Sequence, residues 1–220
     1  PQKELSAMLE NIPVRSGNDA NVAALGEMWQ GGGKGYRDIV MITLGTGVGG
    51  GVILNQKMVS GAHGLAGEIG HIHVRDEEQE HCNCGGMGCL EQVASATGIA
   101  REARRTMASC DTPSLLREYG DRVTAKNVLD AAKAGDALAD QVVEVVCRYL
   151  GLALAQASMM MDPEIFVIGG GVSKAGQYLI DRIYGHYDYF TPISKNKAKI
   201  GLATLGNDAG IYGAARLILE

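Results

Sequence analysis

The sequence predicts an α/β domain built on a mixed sheet, and three observations indicate this. Apolar runs rich in β-branched residues alternate with segments of helical period along most of the chain. Glycine supplies 31 of the 220 residues and concentrates where the apolar runs end. Hydrophobic residues make up 46% of the chain, which is enough to bury a sizeable core. Ligands are therefore expected at the ends of the strands.

The first half of the chain predicts a helix followed by an antiparallel unit. NDANVAALGEMWQGGG (18–33) has Asn or Asp at the cap position, apolar residues at helical spacing and a terminal glycine run, and it follows a strand-like IPVRSG (12–17). DIVMITLG (38–45) is a buried strand. GGVILNQKMVSG (50–61) predicts two further strands around a turn at Asn55 and Gln56.

The second half alternates helices with two further strands. Strands are predicted in PEIFVIGGGVS (163–173), which ends in glycines, and in AKIGLATLG (198–206). Apolar residues at helical spacing predict helices over 90–107, 124–135, 136–161, 175–187 and 208–220. The helix over 136–161 is apolar on most sides, so it is expected at the centre of the fold.

Composition excludes several classes of protein. The formal charge is −5 and the pI near 5.6, and no basic run stands out beyond Arg101, Arg104 and Arg105, which argues against a nucleic-acid surface. We expect no apolar stretch long enough to cross a bilayer, and the N-terminus lacks the basic and apolar regions of a signal peptide. The sequence thus predicts a cytoplasmic protein without membrane or nucleic-acid partners.

Three of the five cysteines lie within eight residues, which favours metal binding over a disulfide framework. The predicted ligands, spaced H-x10-C-x-C-x4-C, are His71, Cys82, Cys84 and Cys89. Four protein ligands complete a tetrahedral Zn²⁺ and leave no place for an activated water, so the metal is expected to be structural. His73, which shares a strand face with His71 by the period of two, and His81, which adjoins Cys82 and should point away, compete for the fourth position. Buried cysteines without metal and a DNA-binding zinc ribbon are the alternatives.

Two glycine-rich segments offer backbone N–H groups that an approaching phosphate could reach. GTGVGGG (45–51) follows a strand directly, and Thr46 adds a hydroxyl, but a glycine-rich hairpin with close strand packing would look the same. GGGVS (169–173) is equally compatible with a simple strand-to-helix turn. Asn18 and Asp19 could serve only as helix caps, and Glu68 and Glu91 could be solvated surface residues.

The motifs GEIGHI (67–72) and CNCGGMGCLE (82–91) resemble the signature of the ROK family of sugar kinases and related repressors. NDANVAALGE and ITLGTGVGGGVI are similar to its glucokinase members in particular, and the resemblance covers nearly all of the chain. It implies an actin-like ATPase or ribonuclease H-like fold. Residues 18–220 would form the larger C-terminal lobe of a two-lobe sugar kinase, with a zinc-binding insertion at 71–89, and 1–17 a hinge or remnant of the other lobe.

The resemblance also assigns roles to residues. Asp19 is expected to take the proton of the sugar 6-hydroxyl. The residues implied in sugar binding are Asn18, Asp19, Glu68, His71 and Glu91. The residues implied in ATP binding are Gly45, Thr46 and Gly47 at the phosphates, and Gly170 and Gly171 beside the nucleoside. Mg²⁺ would arrive with ATP, and Zn²⁺ would hold the sugar-binding carboxylates in place.

The expected reaction is ATP-dependent phosphorylation of glucose to glucose 6-phosphate. A sugar-sensing repressor and a kinase for N-acetylmannosamine or fructose are the alternatives. The family's first phosphate loop, an Asp followed by Gly-Gly-Thr, is absent from these residues, so this chain alone is expected to be inactive. We also expect a homo-oligomer, a dimer or a tetramer, and self-association of the isolated chain through its last helix.

Overall fold

The computed structural model describes residues 2–219, which contain one five-stranded mixed sheet. Its strands are β1 (Ile39–Leu44), β2 (Val48–Leu54), β3 (Lys57–Val59), β4 (Ile165–Gly169) and β5 (Lys199–Leu202). The spatial order is β3-β2-β1-β4-β5. β1, β2 and β3 pair antiparallel, whereas β1, β4 and β5 pair parallel. The predicted antiparallel unit is confirmed, with its turn at Asn55 and Gln56, both at positive φ.

The described part of the chain contains eight α-helices. They are α1 (Gln2–Met8), α2 (Asp19–Gln30), α3 (Glu91–Ala94), α4 (Ala96–Ser109), α5 (Ala125–Lys133), α6 (Ala137–Met161), α7 (Gln177–Phe190) and α8 (Ala209–Ile218). The single helix predicted over 90–107 is in fact two. Ser95 adopts an extended conformation between them, and its hydroxyl accepts the Gly98 N–H at 2.9 Å, so it caps α4.

The central strands are buried on both faces, because successive side chains of a strand point to opposite sides. In β1, Val40, Ile42 and Leu44 join the larger apolar cluster, which contains residues of α4, α5, α6 and α7. Ile39 and Met41 join a smaller cluster on the opposite face, where α2 supplies Ala24, Leu25 and Met28. The helices therefore form a layer on each side of the sheet.

Helix α6 is the largely buried central helix that its composition predicts. It is also long and apolar enough to cross a membrane by length and composition, so the expectation that no stretch reaches that length was wrong. Its most apolar window is 56% buried within the fold. The side chains that make it resemble a membrane span pack against the sheet and against α7; Ala153, Leu154 and Phe166 belong to the same apolar cluster.

Two local predictions were wrong. Residues 12–17 form no strand, because Pro13 lacks an N–H and no residue of this segment is buried against a partner strand. His71 ends a 3-10 turn, Ile69–His71, so the period-two argument that placed it beside His73 does not hold. No residue from 2 to 18 is buried, and the assignment of 1–17 to a hinge stays a prediction.

Candidate functional site

The two glycine turns meet because β1 and β4 are neighbouring parallel strands, whose carboxyl ends lie at the same edge of the sheet. Thr43 pairs with Gly169, and each strand then runs into its turn. Gly170 has φ 85°, and a Cβ there would lie 2.4 Å from the Leu44 carbonyl oxygen. Only glycine fits this contact. Both turns line one open cleft of about 750 Å³.

The first glycine segment divides into a turn and a strand. Gly45 to Gly47 form the turn, in which the Gly45 N–H donates to the Gly47 carbonyl at 3.0 Å. The N–H of Ala96 donates to the Gly45 carbonyl at 2.7 Å, so the start of α4 anchors the turn. The glycines that follow belong to β2, where a Cβ on Gly51 would lie 2.7 Å from that of Ala24. The phosphate-binding interpretation thus applies to the turn, and the close-packing interpretation applies to the glycines of β2.

Asp19 lies in the cleft wall at the first position of α2, whereas Asn18 does not line the cleft. The Asn18 side chain is the N-cap of α2 and accepts the N–H groups of Ala20 at 3.0 Å and Asn21 at 3.3 Å. Asp19 is exposed, and one carboxylate oxygen accepts the Ala20 N–H at 2.8 Å. Its other oxygen has no hydrogen-bond partner among the described residues, so it is free to accept a proton or hydrogen bond from a ligand.

Glu91 joins the cleft to the cysteine cluster. One carboxylate oxygen accepts the Val48 N–H at 2.9 Å, and the other lies 3.8 Å from the sulfur of Cys82. A Cβ on Gly47 would lie 2.5 Å from this carboxylate, which explains why the turn has glycine there. Glu91 lines the same cleft as Asp19 and both glycine turns. The interpretation of Glu91 as a solvated surface residue is therefore wrong.

The four predicted metal ligands converge. One ligand atom from each of His71, Cys82, Cys84 and Cys89 lies within 4.8 Å of every other. The sulfurs of Cys84 and Cys89 are 3.6 Å apart, and Nδ1 of His71 is 3.8 Å from the sulfur of Cys82. The edges of a tetrahedral zinc site with these ligands are roughly 3.5 to 3.8 Å. The donor set and its spacing thus fit a tetrahedral Zn²⁺.

The two competing histidines have other partners. Nδ1 of His73 lies 2.8 Å from the Met87 carbonyl and Nε2 lies 2.8 Å from Asp76, and these two contacts raise the pKa of His73. Nδ1 of His81 lies 3.2 Å from the Gly85 carbonyl. Neither ring belongs to the cluster, so His71 is the histidine that the fold places with the cysteines.

The cysteines differ in how readily each loses its proton. Burial raises the pKa of the Cys89 thiol to about 12 and also raises the pKa of Cys82. A hydrogen bond from the Gly86 backbone lowers the pKa of Cys84. Because thiolates bind zinc and neutral thiols do not, a cation in the cluster would offset the burial that disfavours the two buried thiolates. None of the five cysteines forms a disulfide.

Glu68 touches the cluster from its outer side. Its carboxylate lies 3.9 Å from Nε2 of His71, whose other nitrogen faces Cys82. The chain of contacts from Glu68 through His71 and Cys82 ends at Glu91. Glu68 itself is exposed and, with His71, lies outside the lining of the cleft. The structure thus places each of the two predicted sugar-binding glutamates next to a member of one cysteine-histidine cluster.

A buried ion pair that sequence reasoning missed anchors the cysteine segment to α4. The Glu78 side chain is 0% exposed and accepts hydrogen bonds from Arg105 at 2.7 and 3.0 Å, with Arg101 at 3.4 Å. Hydrogen bonding from Arg105 lowers the pKa of Glu78 to about 2. The exposed Glu80 pairs with the same two arginines. Arg101 and Arg105, which the sequence presents as a basic stretch, are therefore engaged within the fold.

A second buried carboxylate was also missed. Glu27 is 0% exposed and accepts backbone N–H bonds from Gly32 at 2.7 Å, Thr204 at 3.0 Å and Leu205 at 2.9 Å. These bonds tie the end of α2 to the loop after β5, and Thr204 of that loop lines the cleft. The sequence signal was an acidic residue on the apolar face of α2, between Ala24 and Met28.

A smaller pocket of about 450 Å³ adjoins the cleft, and both cavities are lined by Gly171 and Lys174. Its walls are mainly aliphatic, with Leu129 and Val172 among them, and Thr124 adds a hydroxyl. The sequence does not reveal this pocket, because its lining comes mainly from α5 and from the turn after β4, which are far apart in the chain.

The mixed sheet in the order β3-β2-β1-β4-β5, together with its likeness to solved sugar kinases, places the chain in the actin-like ATPase class. The chain belongs to the ROK family, whose model matches residues 2–220. It is 48% identical to a glucokinase of Halalkalibacterium halodurans over 100% of this chain and 68% of that protein. A ROK family glucokinase from Streptomyces griseus, solved with glucose and AMPPNP, superposes with a TM-score of 0.83 at 35% identity, over 98% of this chain and 71% of that one. Identity is 29% to a xylose repressor of Caldicellulosiruptor bescii, over 100% of this chain and 55% of that protein.

Proposed function

We propose that this chain carries the glucose-binding site and part of the nucleotide-binding site of an ATP-dependent glucokinase. One observation carries the proposal: Asp19, Glu91 and both glycine turns line the same cleft. A carboxylate is thereby placed beside backbone N–H groups of the kind that bind phosphate. The similarity to glucokinases over the whole chain supports the same assignment.

In the proposed reaction the sugar 6-hydroxyl attacks the γ-phosphorus of ATP. The O6–P bond forms, the bond from phosphorus to the ADP oxygen breaks, and the hydroxyl proton passes to Asp19, which gives glucose 6-phosphate and ADP. A carboxylate assists most as the attacking hydroxyl becomes acidic, and the rest of the catalysis is positioning and charge stabilisation. The exposed oxygen of Asp19 suits this role, and the Asn18 cap fixes the start of the helix that carries it.

Sugar recognition is proposed for the carboxylates around the cysteine cluster. Glu91, His71 and Glu68 would accept or donate hydrogen bonds to sugar hydroxyls, and paired carboxylates distinguish hydroxyl stereochemistry only when their positions are fixed. A Zn²⁺ held by His71 through Nδ1 and by the three cysteines would supply that rigidity. The Glu78 ion pair would hold the same segment from outside.

Nucleotide binding is proposed for the glycine turns and the adjoining pocket. Gly45, Thr46 and Gly47 would face the phosphates, with Gly170 and Gly171 beside the nucleoside. The aliphatic pocket beyond Gly171 suits a planar base, and Mg²⁺ would be held mainly by phosphate oxygens and water. Because its substrate is ATP, we infer that the protein acts in the cytoplasm.

The test is ADP release by the full-length protein with glucose, N-acetylmannosamine or fructose. Full length is needed because the chain spans only 65% to 71% of the similar glucokinases. We expect turnover highest with glucose and about a hundredfold or more lower in Asp19→Asn, which keeps size and polarity but removes the base. If the protein phosphorylates none of the three sugars although its metal site is filled, the result would favour the sugar-sensing repressor instead.

A further inference from the structure

Lys174 is the only cationic side chain among the described residues that line the main cleft. Asp19 and Glu91 line the same cleft and give it a negative character. A nucleoside triphosphate carries several negative charges, so its binding requires compensation that these carboxylates do not provide. Among the described residues that line the cleft, Lys174 is the side chain that can provide it.

The ammonium group of Lys174 is also unengaged. No hydrogen bond or ion pair involves its side chain within residues 2–219, and the side chain is exposed. The other two lysines of the adjoining pocket are engaged: Lys126 pairs with Asp130 at 2.5 Å, and the nitrogen of Lys133 lies 5.8 Å from the centre of the Tyr178 ring. Lys174 alone is available to a ligand without giving up a partner.

The backbone beneath Lys174 is held in place. Lys174 belongs to the 3-10 turn Val172–Ala175, which follows the glycine turn at the end of β4. The Ser173 hydroxyl donates to the Gly170 carbonyl at 2.8 Å, and Val172 on the other side is buried in the core. The turn therefore carries a flexible cationic side chain on a fixed backbone, at the boundary between the polar cleft and the aliphatic pocket.

We infer that Lys174 anchors the phosphates nearest the ribose of the nucleotide, once the base occupies the aliphatic pocket and the triphosphate runs into the cleft. The inference rests on the proposed function, since it assumes that a nucleotide is the donor. Lys174 is thereby a specificity residue for phosphorylated nucleosides over adenosine.

The experiment compares Lys174→Met and Lys174→Arg in the full-length protein by calorimetric titration with ADP and with adenosine, and by steady-state kinetics. A lost charge-assisted hydrogen bond should weaken ADP binding and raise the KM for ATP about tenfold or more. Adenosine affinity and the KM for glucose should stay within about twofold, and Lys174→Arg should retain most of the ADP affinity. Lys195→Met is the matched control, because Lys195 is exposed, has no side-chain partner among the residues that the structure describes, and lines neither cavity.

The outcomes separate the inference from the proposed function. If the unaltered protein phosphorylates no sugar, the proposed function fails. If it is active but Lys174→Met binds ADP as tightly as the unaltered protein, the Lys174 assignment is overturned. An equal loss of ADP and adenosine affinity would also overturn it, because the lysine would then shape the base pocket and not read phosphate.

Discussion

Among the single residues that line the cleft, Gly170 is constrained both by its backbone conformation and by a close contact. It combines φ 85° with a carbonyl oxygen 2.4 Å from where a Cβ would stand, and both features exclude a side chain. Gly171 lies next to it at φ −62°, and a Cβ there would meet nothing within 4 Å. The two glycines therefore differ in what they tolerate, although the sequence presents them as equivalent.

We predict that Gly170→Ala lowers the free energy of unfolding by about 2 kcal/mol or more, because backbone strain and the clash with Leu44 act together. Gly171→Ala should leave it within about 0.5 kcal/mol. Urea titration followed by circular dichroism measures both. Equal stability of the two variants would show that the turns do not depend on the contact between Gly170 and β1.

At the scale of residues, the sequence predicted which side chains would come together where their type and spacing are typical of metal ligands. Three cysteines and a histidine at metal-ligand spacing converge as expected. The fold places His71 and not His73 with the cysteines, and the assignment of His71 as a metal ligand stays a prediction. The strand argument that made His73 a competitor was wrong, since His71 ends a 3-10 turn. For Glu27 the sequence signal, an acidic residue on the apolar face of α2, did not reveal its role, because two of its partners, the N–H groups of residues 204 and 205, come near it only in the folded chain.

Among the elements, the segment between Val74 and Leu90 depends on α4 for its position. The buried Glu78 of this segment forms ion pairs with Arg105 and Arg101 of α4. The pKa of Glu78 in the folded state, about 2, lies below the ordinary value of 4.5. The ion pair therefore contributes stability that is present above about pH 4.5 and is lost as the pH falls through about 2.

We predict that Glu78→Gln lowers the free energy of unfolding by about 2 to 3 kcal/mol at pH 7, because two arginines lose their buried partner. The difference between the variant and the unaltered protein should shrink between pH 4.5 and 2. Thermal unfolding across this pH range measures it. Glu77→Gln is the matched control, because Glu77 adjoins Glu78 in the chain but is exposed. A similar loss of stability in both variants would contradict the assignment of the stabilising ion pair to Glu78.

Most element boundaries followed from local sequence, since caps, glycines and strand runs are local signals. The helix over 136–161 and the turn at Asn55 and Gln56 are examples. The break at Ser95 was not predicted, although the Ser95 hydroxyl that caps α4 is a local signal. The bond from the Ala96 N–H to the Gly45 carbonyl, which also holds this point, joins distant parts of the chain. Local patterns cannot supply such contacts.

In the whole molecule, one cleft is assembled from five separate stretches of chain. The start of α2, the turns after β1 and β4, the start of α3 and the loop after β5 meet there, because β1 lies between β2 and β4. Periodicity alone predicted a site at strand ends, and the family resemblance implied which stretches would share it. The pairing of β1 with β4 is the long-range step that brings the two glycine turns together.

The central claim is that a metal-filled cysteine cluster fixes the carboxylates that recognise glucose. It is tested most directly by titrating glucose into the full-length protein before and after zinc removal, with circular dichroism confirming that the fold persists. We predict one zinc per chain, a loss of glucose affinity of about tenfold or more on removal, and recovery when zinc is restored. A folded, metal-free protein that binds glucose as tightly as the zinc-loaded one would contradict the claim.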